Sequence, residues 1–167
     1  TGLEELVAHL KEETERLGLP MPRFLMEPGR SIVADAGMTL YTVGSVKRIP
    51  GYKQYAAVDG GMTDNPRYAL YQSRYTVYHA HKSGSLERFD VVGRCCESGD
   101  IIQPGVELPG DTCRGDLLAV CTTGAYNYSM ASNYNRLPRP AVVMLTPDRI
   151  YEAVRRETFA DLTALDL

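Results

Sequence analysis

From Gly37 onward the chain is cut into short runs of β-branched and aromatic residues, with turn dipeptides between them. Residues 38–49, 52–58, 75–80, 89–92, 117–122 and 141–145 carry the runs. Pro50-Gly51, Ser83-Gly84, Pro104-Gly105, Pro109-Gly110 and Pro147-Asp148 supply the turns. Proline lacks the amide a central strand needs, and glycine reaches backbone angles other residues avoid, so such pairs end strands rather than continue them. Strands this short and this closely spaced predict a mainly antiparallel barrel or sandwich. Residues 149–155 read either as a strand folded back on 141–145 or as a helix, and residues 158–165 as a short terminal helix.

The segment before Gly37 has a different texture. Leu3, Leu6, Val7, Leu10 and Leu17 share one helical face and Thr1-x-x-Glu4 fits a capping box, which predicts a helix over residues 2–17 that stops at Gly18. Residues 23–26 form an apolar strand candidate running into Glu27-Pro28-Gly29-Arg30, and residues 31–36 a brief helix ended by Gly37. Helix, strand, loop and helix make one α/β unit, and one such unit cannot cover both faces of its strand. At 167 residues the chain is too short for a (β/α)₈ barrel of about 250. It opens Thr-Gly without an initiator Met, so a piece of something longer is expected.

Composition narrows the class of partner. Hydrophobic residues make up 44% and charged residues 23%, as in a globular domain. The net charge of −3 leaves no electrostatic footprint for nucleic acid or anionic lipid. No apolar run approaches the roughly 18 residues of a membrane span. The 4 cysteines include no C-x-x-C pair and no histidine stands at zinc-finger spacing, so a reducing cytoplasm is the expected setting. His79 and His81 would share a strand face, but two ligands without a third make a poor site, and no metal is expected.

Four stretches place polar and small residues at strand ends, where binding groups concentrate. In Glu27-Pro28-Gly29-Arg30 the backbone amides and the guanidinium can face a phosphate or carboxylate; the alternative is an ordinary strand-to-helix turn. In residues 59–67 (DGGMTDNPR), Arg67 projects together with Tyr71 only if that stretch is helical; otherwise it is a solvated charge. Residues 93–100 hold Cys96-Glu97 between glycines, with Arg94 close by. A cysteine there can move a proton or attack, although most unpaired cysteines are inert fillers. Residues 124–128 (GAYNY) form the fourth stretch.

Taken in order, EPGR, DGGMTDNPR, CCESGD and GAYNYSMASNYNRLPRP resemble the C-terminal part of the diaminopimelate decarboxylases, fold-type III enzymes that use pyridoxal 5'-phosphate, across essentially the whole chain. The resemblance implies that residues 1–37 are the end of a cofactor-binding α/β barrel and residues 38–167 a C-terminal β domain, in a head-to-tail homodimer with a shared active site. It also implies residue roles. Glu27 and Pro28 shape the cofactor loop; Gly29 and Arg30 contact the cofactor phosphate, and Arg30 also reaches substrate. Arg67 and Tyr71 hold the substrate carboxylate, and Tyr126 touches cofactor and substrate. Cys96 is the proton donor and Glu97 the ligand for a substrate amino group, both delivered by the partner subunit. The implied substrate is meso-diaminopimelate and the product L-lysine, formed in the cytoplasm.

Ornithine decarboxylases share this plan but carry an acidic residue after the equivalent of Tyr71, where this chain has Gln72, and Cys-Asp in place of Cys96-Glu97. A fragment of a related ornithine, arginine or carboxynorspermidine decarboxylase is a further alternative. None of Lys11, Lys47, Lys53 and Lys82 sits where the family anchors its cofactor, so the chain alone is expected to be inactive. The competing reading is a stand-alone β module that binds a partner or small ligand without catalysis.

Overall fold

The computed structural model describes residues 2–167. Helix α1 (Gly2–Arg16) forms as its apolar spacing predicts, and Thr1 of the predicted cap lies outside the described residues. No α1 residue is buried. The predicted strand at residues 23–26 is not formed, because a strand needs a neighbour for its amides and carbonyls and none of the described residues lies alongside as one; Leu25 is 79% exposed. Helix α2 (Arg30–Val33) and a 3₁₀ turn (Ala34–Ala36) then lead through Gly37 into the sheet.

The sheet turns on β1 (Met38–Arg48). Its first half pairs with β6 (Leu117–Cys121), Met38 opposite Cys121, and its second half with β2 (Gln54–Val58), Arg48 opposite Gln54. The register slips between Val43 and Ser45, so Gly44 is an extra residue at the bend. With β3 (Val77–His79), β4 (Leu86–Val92) and β5 (Ile101–Pro109) the strand order is β3-β6-β1-β2-β4-β5. Only β2 and β4 run parallel, so the expected mainly antiparallel pattern holds. The edges β3 and β5 curl toward each other into a nearly closed barrel. The Tyr75 amide just before β3 donates to the buried Gln103 side chain of β5 at 2.8 Å. Val43, Phe89, Val91, Ile102, Leu118 and Val120 fill the interior at no more than 1% exposure each.

One strand was hidden by its own residues. Pro104-Gly105 reads as a turn but lies inside β5, because Phe89 faces Val106 while Val91 faces Gln103, which leaves one extra residue on β5. Gly105 takes φ +67° in this bulge, and its amide donates to Asp90 Oδ1 at 2.8 Å. At the C-terminal end, β7 (Val142–Leu145) and β8 (Ile150–Val154) form a separate hairpin, which decides for the strand over the helix at residues 149–155. Helix α4 (Phe159–Leu162) starts from a capping box between Thr158 and Asp161.

His79 braces this end of the barrel. Its Nδ1 accepts the amides of His81 and Lys82 at 3.2 and 2.9 Å, and its Nε2 lies 3.1 Å from Asp116. Asp116 Oδ2 also accepts from Lys82 Nζ at 2.7 Å and from the Cys113 amide at 2.8 Å. Burial opposes ionisation of Asp116, but the Lys82 ammonium and the other donors outweigh it and hold the carboxyl well below the usual carboxylate range. A depressed folded-state value means that the stabilisation is fully present above the ordinary value of 3.8 and is lost as pH falls below it. Asp116→Asn is therefore expected to lower the urea midpoint at pH 6, with the gap to the parent protein narrowing steadily as pH falls below 3.8.

Candidate active site

The first part of the site is built by two backbones in contact. The amides of Thr123 and Gly124 donate to the carbonyls of Gly37 and Ala34 at 3.0 and 2.9 Å, and a Cβ on either Gly37 or Gly124 would collide with main-chain atoms. The contact brings the 27–30 loop against residues 122–126. There the Arg30 guanidinium donates to the carbonyls of Thr122 and Ala125 at 3.1 and 3.5 Å and lies 5.4 Å from the Tyr75 ring. Tyr126 adopts φ +61°, and its hydroxyl occupies the space a side chain on Gly29 would need. In this arrangement the glycine at position 29 leaves room for the Tyr126 hydroxyl.

The second part is the 59–66 loop. Asp59 accepts the Thr42 amide at 2.9 Å; Asp64 Oδ1 accepts the Gly61 amide at 2.8 Å and Oδ2 accepts the Tyr41 hydroxyl. Burial raises Asp64 from its ordinary carboxylate value and, with the Asp64 charge, pushes Tyr41 well above the usual phenol value, so the phenol keeps its proton and donates it to the carboxylate. From this anchored loop Pro66 caps α3 (Arg67–Tyr71), which meets the condition for Arg67 and Tyr71 to project together. The Arg67 guanidinium carbon lies 4.5 Å from the Tyr71 ring and 5.6 Å from the Tyr126 ring, with Nη1 3.8 Å from Met130 Sδ. Arg67 Nε, both amide atoms of Asn65 and Nδ2 of Asn127 are buried without a partner. Native interiors rarely leave such groups unpaired, and residues 65–67 and 127 carry four of them.

The 93–100 loop makes a second cluster. Cys96 is exposed, and its amide donates to Asn135 Oδ1 at 2.9 Å; Glu97 Oε2 accepts the Tyr134 hydroxyl at 3.3 Å. The neighbouring Cys95 faces inward, where burial and the Asp100 carboxylate push its thiol up to about 11, so of the pair Cys96 is the one free to act. Among the described residues no hydrogen bond or ring contact joins Cys96 or Glu97 to Arg30, Arg67, Tyr71 or Tyr126. The structure therefore gathers Gly29, Arg30, Arg67, Tyr71 and Tyr126, with Glu27 and Pro28 in the adjoining turn, and among the described residues bonds none of them to Cys96 or Glu97.

Sequence reasoning missed the residues that hold these loops: Tyr41, Asp64, Asp100, Tyr134 and Asn135. The available signals were weak. They were an excess of tyrosines over other aromatics, and the acids and asparagines inside the motifs themselves.

Comparison with known proteins now gives this arrangement a family. The family described as "Pyridoxal-dependent decarboxylase, C-terminal sheet domain" matches residues 30–124. The chain belongs to this family. The diaminopimelate decarboxylase of Bacillus subtilis is 50% identical over 167 residues, 99% of this chain and 38% of the relative. The crystal structure of diaminopimelate decarboxylase from M. jannaschii with L-lysine superposes with a TM-score of 0.81 at 36% identity, covering 89% of this chain and 34% of that one. A lysine/ornithine decarboxylase from Vibrio vulnificus with cadaverine is more distant, at 28% identity and a TM-score of 0.61 over 68% of this chain and 31% of that one. The chain thus spans about a third of the length of these relatives.

The residues present fit part of what a pyridoxal-dependent family requires. Tyr126, Gly29 and Arg30 stand together beside unpartnered buried donors, as a charged ligand needs. Among the described residues no lysine bonds to any of them: Lys53 is committed to Asp90 at 2.6 Å and Lys82 to Asp116 at 2.7 Å.

The backbone contact can be tested by adding one methyl group. Gly124→Ala meets only main-chain atoms and should cost about 1–3 kcal/mol. Gly99→Ala, where an added Cβ meets nothing, should stay within about 0.5 kcal/mol. Urea denaturation of both variants makes the comparison.

Proposed function

We propose that this chain is the C-terminal portion of a diaminopimelate decarboxylase, which converts meso-2,6-diaminopimelate to L-lysine and CO₂ as a homodimer. On this reading residues 1–37 end the cofactor barrel and residues 38–167 form the β domain. The apolar residues of α1 left uncovered fit a missing neighbour. The observation that carries the proposal is Arg67, set between Tyr71 and Tyr126 with its Nε buried and unpartnered. A guanidinium so placed grips a carboxylate, and the helix ends on Gln72 where an ornithine-type site would need an acid.

Pyridoxal 5'-phosphate, when bound, supplies the sink for the charge left behind as CO₂ departs. Gly29 and Arg30 would hold its phosphate and Tyr126 would contact it, while the anchoring lysine belongs to the barrel upstream. Arg67 and Tyr71 bind the distal carboxylate of the substrate and fix its orientation, with Arg30 adding a second cationic contact. Glu97 accepts hydrogen bonds from an ammonium of the substrate. Cys96 Sγ carries the proton that replaces CO₂ on carbon. Cys96 and Glu97 come from the partner subunit, which accords with their exposure and their separation from the Arg67 cluster in this chain. The 4 free thiols fit a cytoplasmic enzyme.

The test uses the full-length protein and measures CO₂ release. Meso-diaminopimelate should be turned over and L-ornithine should not. Arg67→Ala should lower kcat/KM for meso-diaminopimelate by on the order of 10²-fold, the worth of a charge-assisted hydrogen bond. Preference for ornithine, or an unaffected Arg67 variant, would overturn the assignment. A second arm tests the shared site. Heterodimers isolated from Arg67→Ala and Cys96→Ala chains should contain one intact site of the pair and recover about half of the parent activity.

A further inference from the structure

Asp100 lies between the two clusters. Its carboxylate is buried at 4% exposure, and its two oxygens are used separately: Oδ1 accepts the Met62 amide and Oδ2 the Cys95 amide, each at 2.6 Å. Met62 belongs to the loop that launches Arg67; Cys95 belongs to the loop that carries Cys96 and Glu97. Gly61 and Gly93 leave the space the carboxylate needs, since a Cβ on either would run into its oxygens. The same two loops are joined once more by backbone, where the Arg94 amide donates to the Gly60 carbonyl at 3.1 Å. No lysine or arginine pairs with Asp100 among the described residues, so its charge is met by amides. Two donors that come from different loops bind those loops to a common point.

We propose that Asp100 is a positioning residue that fixes, within one subunit, the loop serving that subunit's own active site and the loop serving its partner's. The inference rests on the reading of a site shared across a homodimer. If Arg67 acts in its own subunit and Cys96-Glu97 in the other, one carboxylate sets geometry in both sites at once. Its loss then differs in kind from loss of either binding group. An Arg67 or Cys96 variant spoils one site of a heterodimer with the parent chain, whereas an Asp100 variant spoils both.

Heterodimers of full-length chains carrying two different affinity tags decide the matter, with diaminopimelate decarboxylation as the readout. Asp100→Ala paired with the parent chain should fall below a tenth of parent activity, while Arg67→Ala or Cys96→Ala paired with the parent should keep about half. Asp100→Ala should likewise restore activity with neither the Arg67→Ala nor the Cys96→Ala chain. Restoration with either overturns the proposal. Asp100→Asn keeps the volume but only one acceptor oxygen, so it can hold one loop and not both. It should therefore complement one of the two testers and not the other, and complementation of both or of neither overturns the proposal even where Asp100→Ala fails to assemble. If Arg67→Ala and Cys96→Ala fail to complement each other, the shared-site reading falls and the link between sites falls with it. If they complement and Asp100→Ala does too, only the role of Asp100 is lost. A defect of global stability alone would lower every pairing alike, without the asymmetry between testers.

Discussion

Burying a carboxylate is costly unless both of its oxygens find donors, and residues 59–66 meet that condition from two sides. Asp64 takes the Gly61 amide and the Tyr41 hydroxyl; Asp100 takes the amides of Met62 and Cys95. The loop is thereby tied to the β1 wall of the barrel at one end and to the 93–100 loop at the other. Ser132 adds a third attachment, its amide donating to the Thr63 carbonyl at 2.8 Å. A loop of this kind would be mobile if it were only polar. Inward-facing acids instead turn it into a rigid mount for α3. The paired glycines Gly60 and Gly61 matter here for lack of volume: a Cβ on the first would meet the Tyr41 ring and one on the second the Asp100 carboxylate.

The barrel was legible where strand signals were local. Runs of β-branched and aromatic residues in β1, β2 and β6 and the Pro147-Asp148 turn of the last hairpin were readable from single residues and their neighbours. The failures share one cause, which is that pairing is not a local property. Residues 23–26 have strand-like residues and no partner, so they remain extended coil. Residues 101–109 carry a Pro-Gly break, yet β4 lies beside them along their whole length, and the bulge at Gly105 absorbs the break. In each case the neighbour outweighed the propensity.

The site divides the same way. Arg67 and Tyr71 were visible as a spacing, four residues apart, that needed only a short helix to become a pair. Tyr126 and Gly29 were visible as motif members, but their contact depends on Gly37 meeting Gly124 across a distance no local pattern encodes. Asp100 and Tyr134 were the hardest to see, since each acts on a loop distant in sequence or on another part of a long motif. A residue that touches ligand announces itself by type; a residue that places another one announces itself only by its bonds.

Holding each guanidinium against aromatic faces is a consistent choice across the site. Arg30 lies over Tyr75, and Arg67 lies between Tyr71 and Tyr126. The ring faces attract the cation without neutralising it, and the flat guanidinium keeps edge donors for a carboxylate or phosphate. An acid in the same position would have satisfied the charge and closed the site to an anion. The acids of this region are turned inward instead, against amides and a phenol, where they fix the backbone. Carboxylates that hold the frame and arginines that remain open to an anion are therefore two halves of one arrangement, and the tyrosines, in excess among the aromatics, make it possible by bonding to the first and stacking on the second.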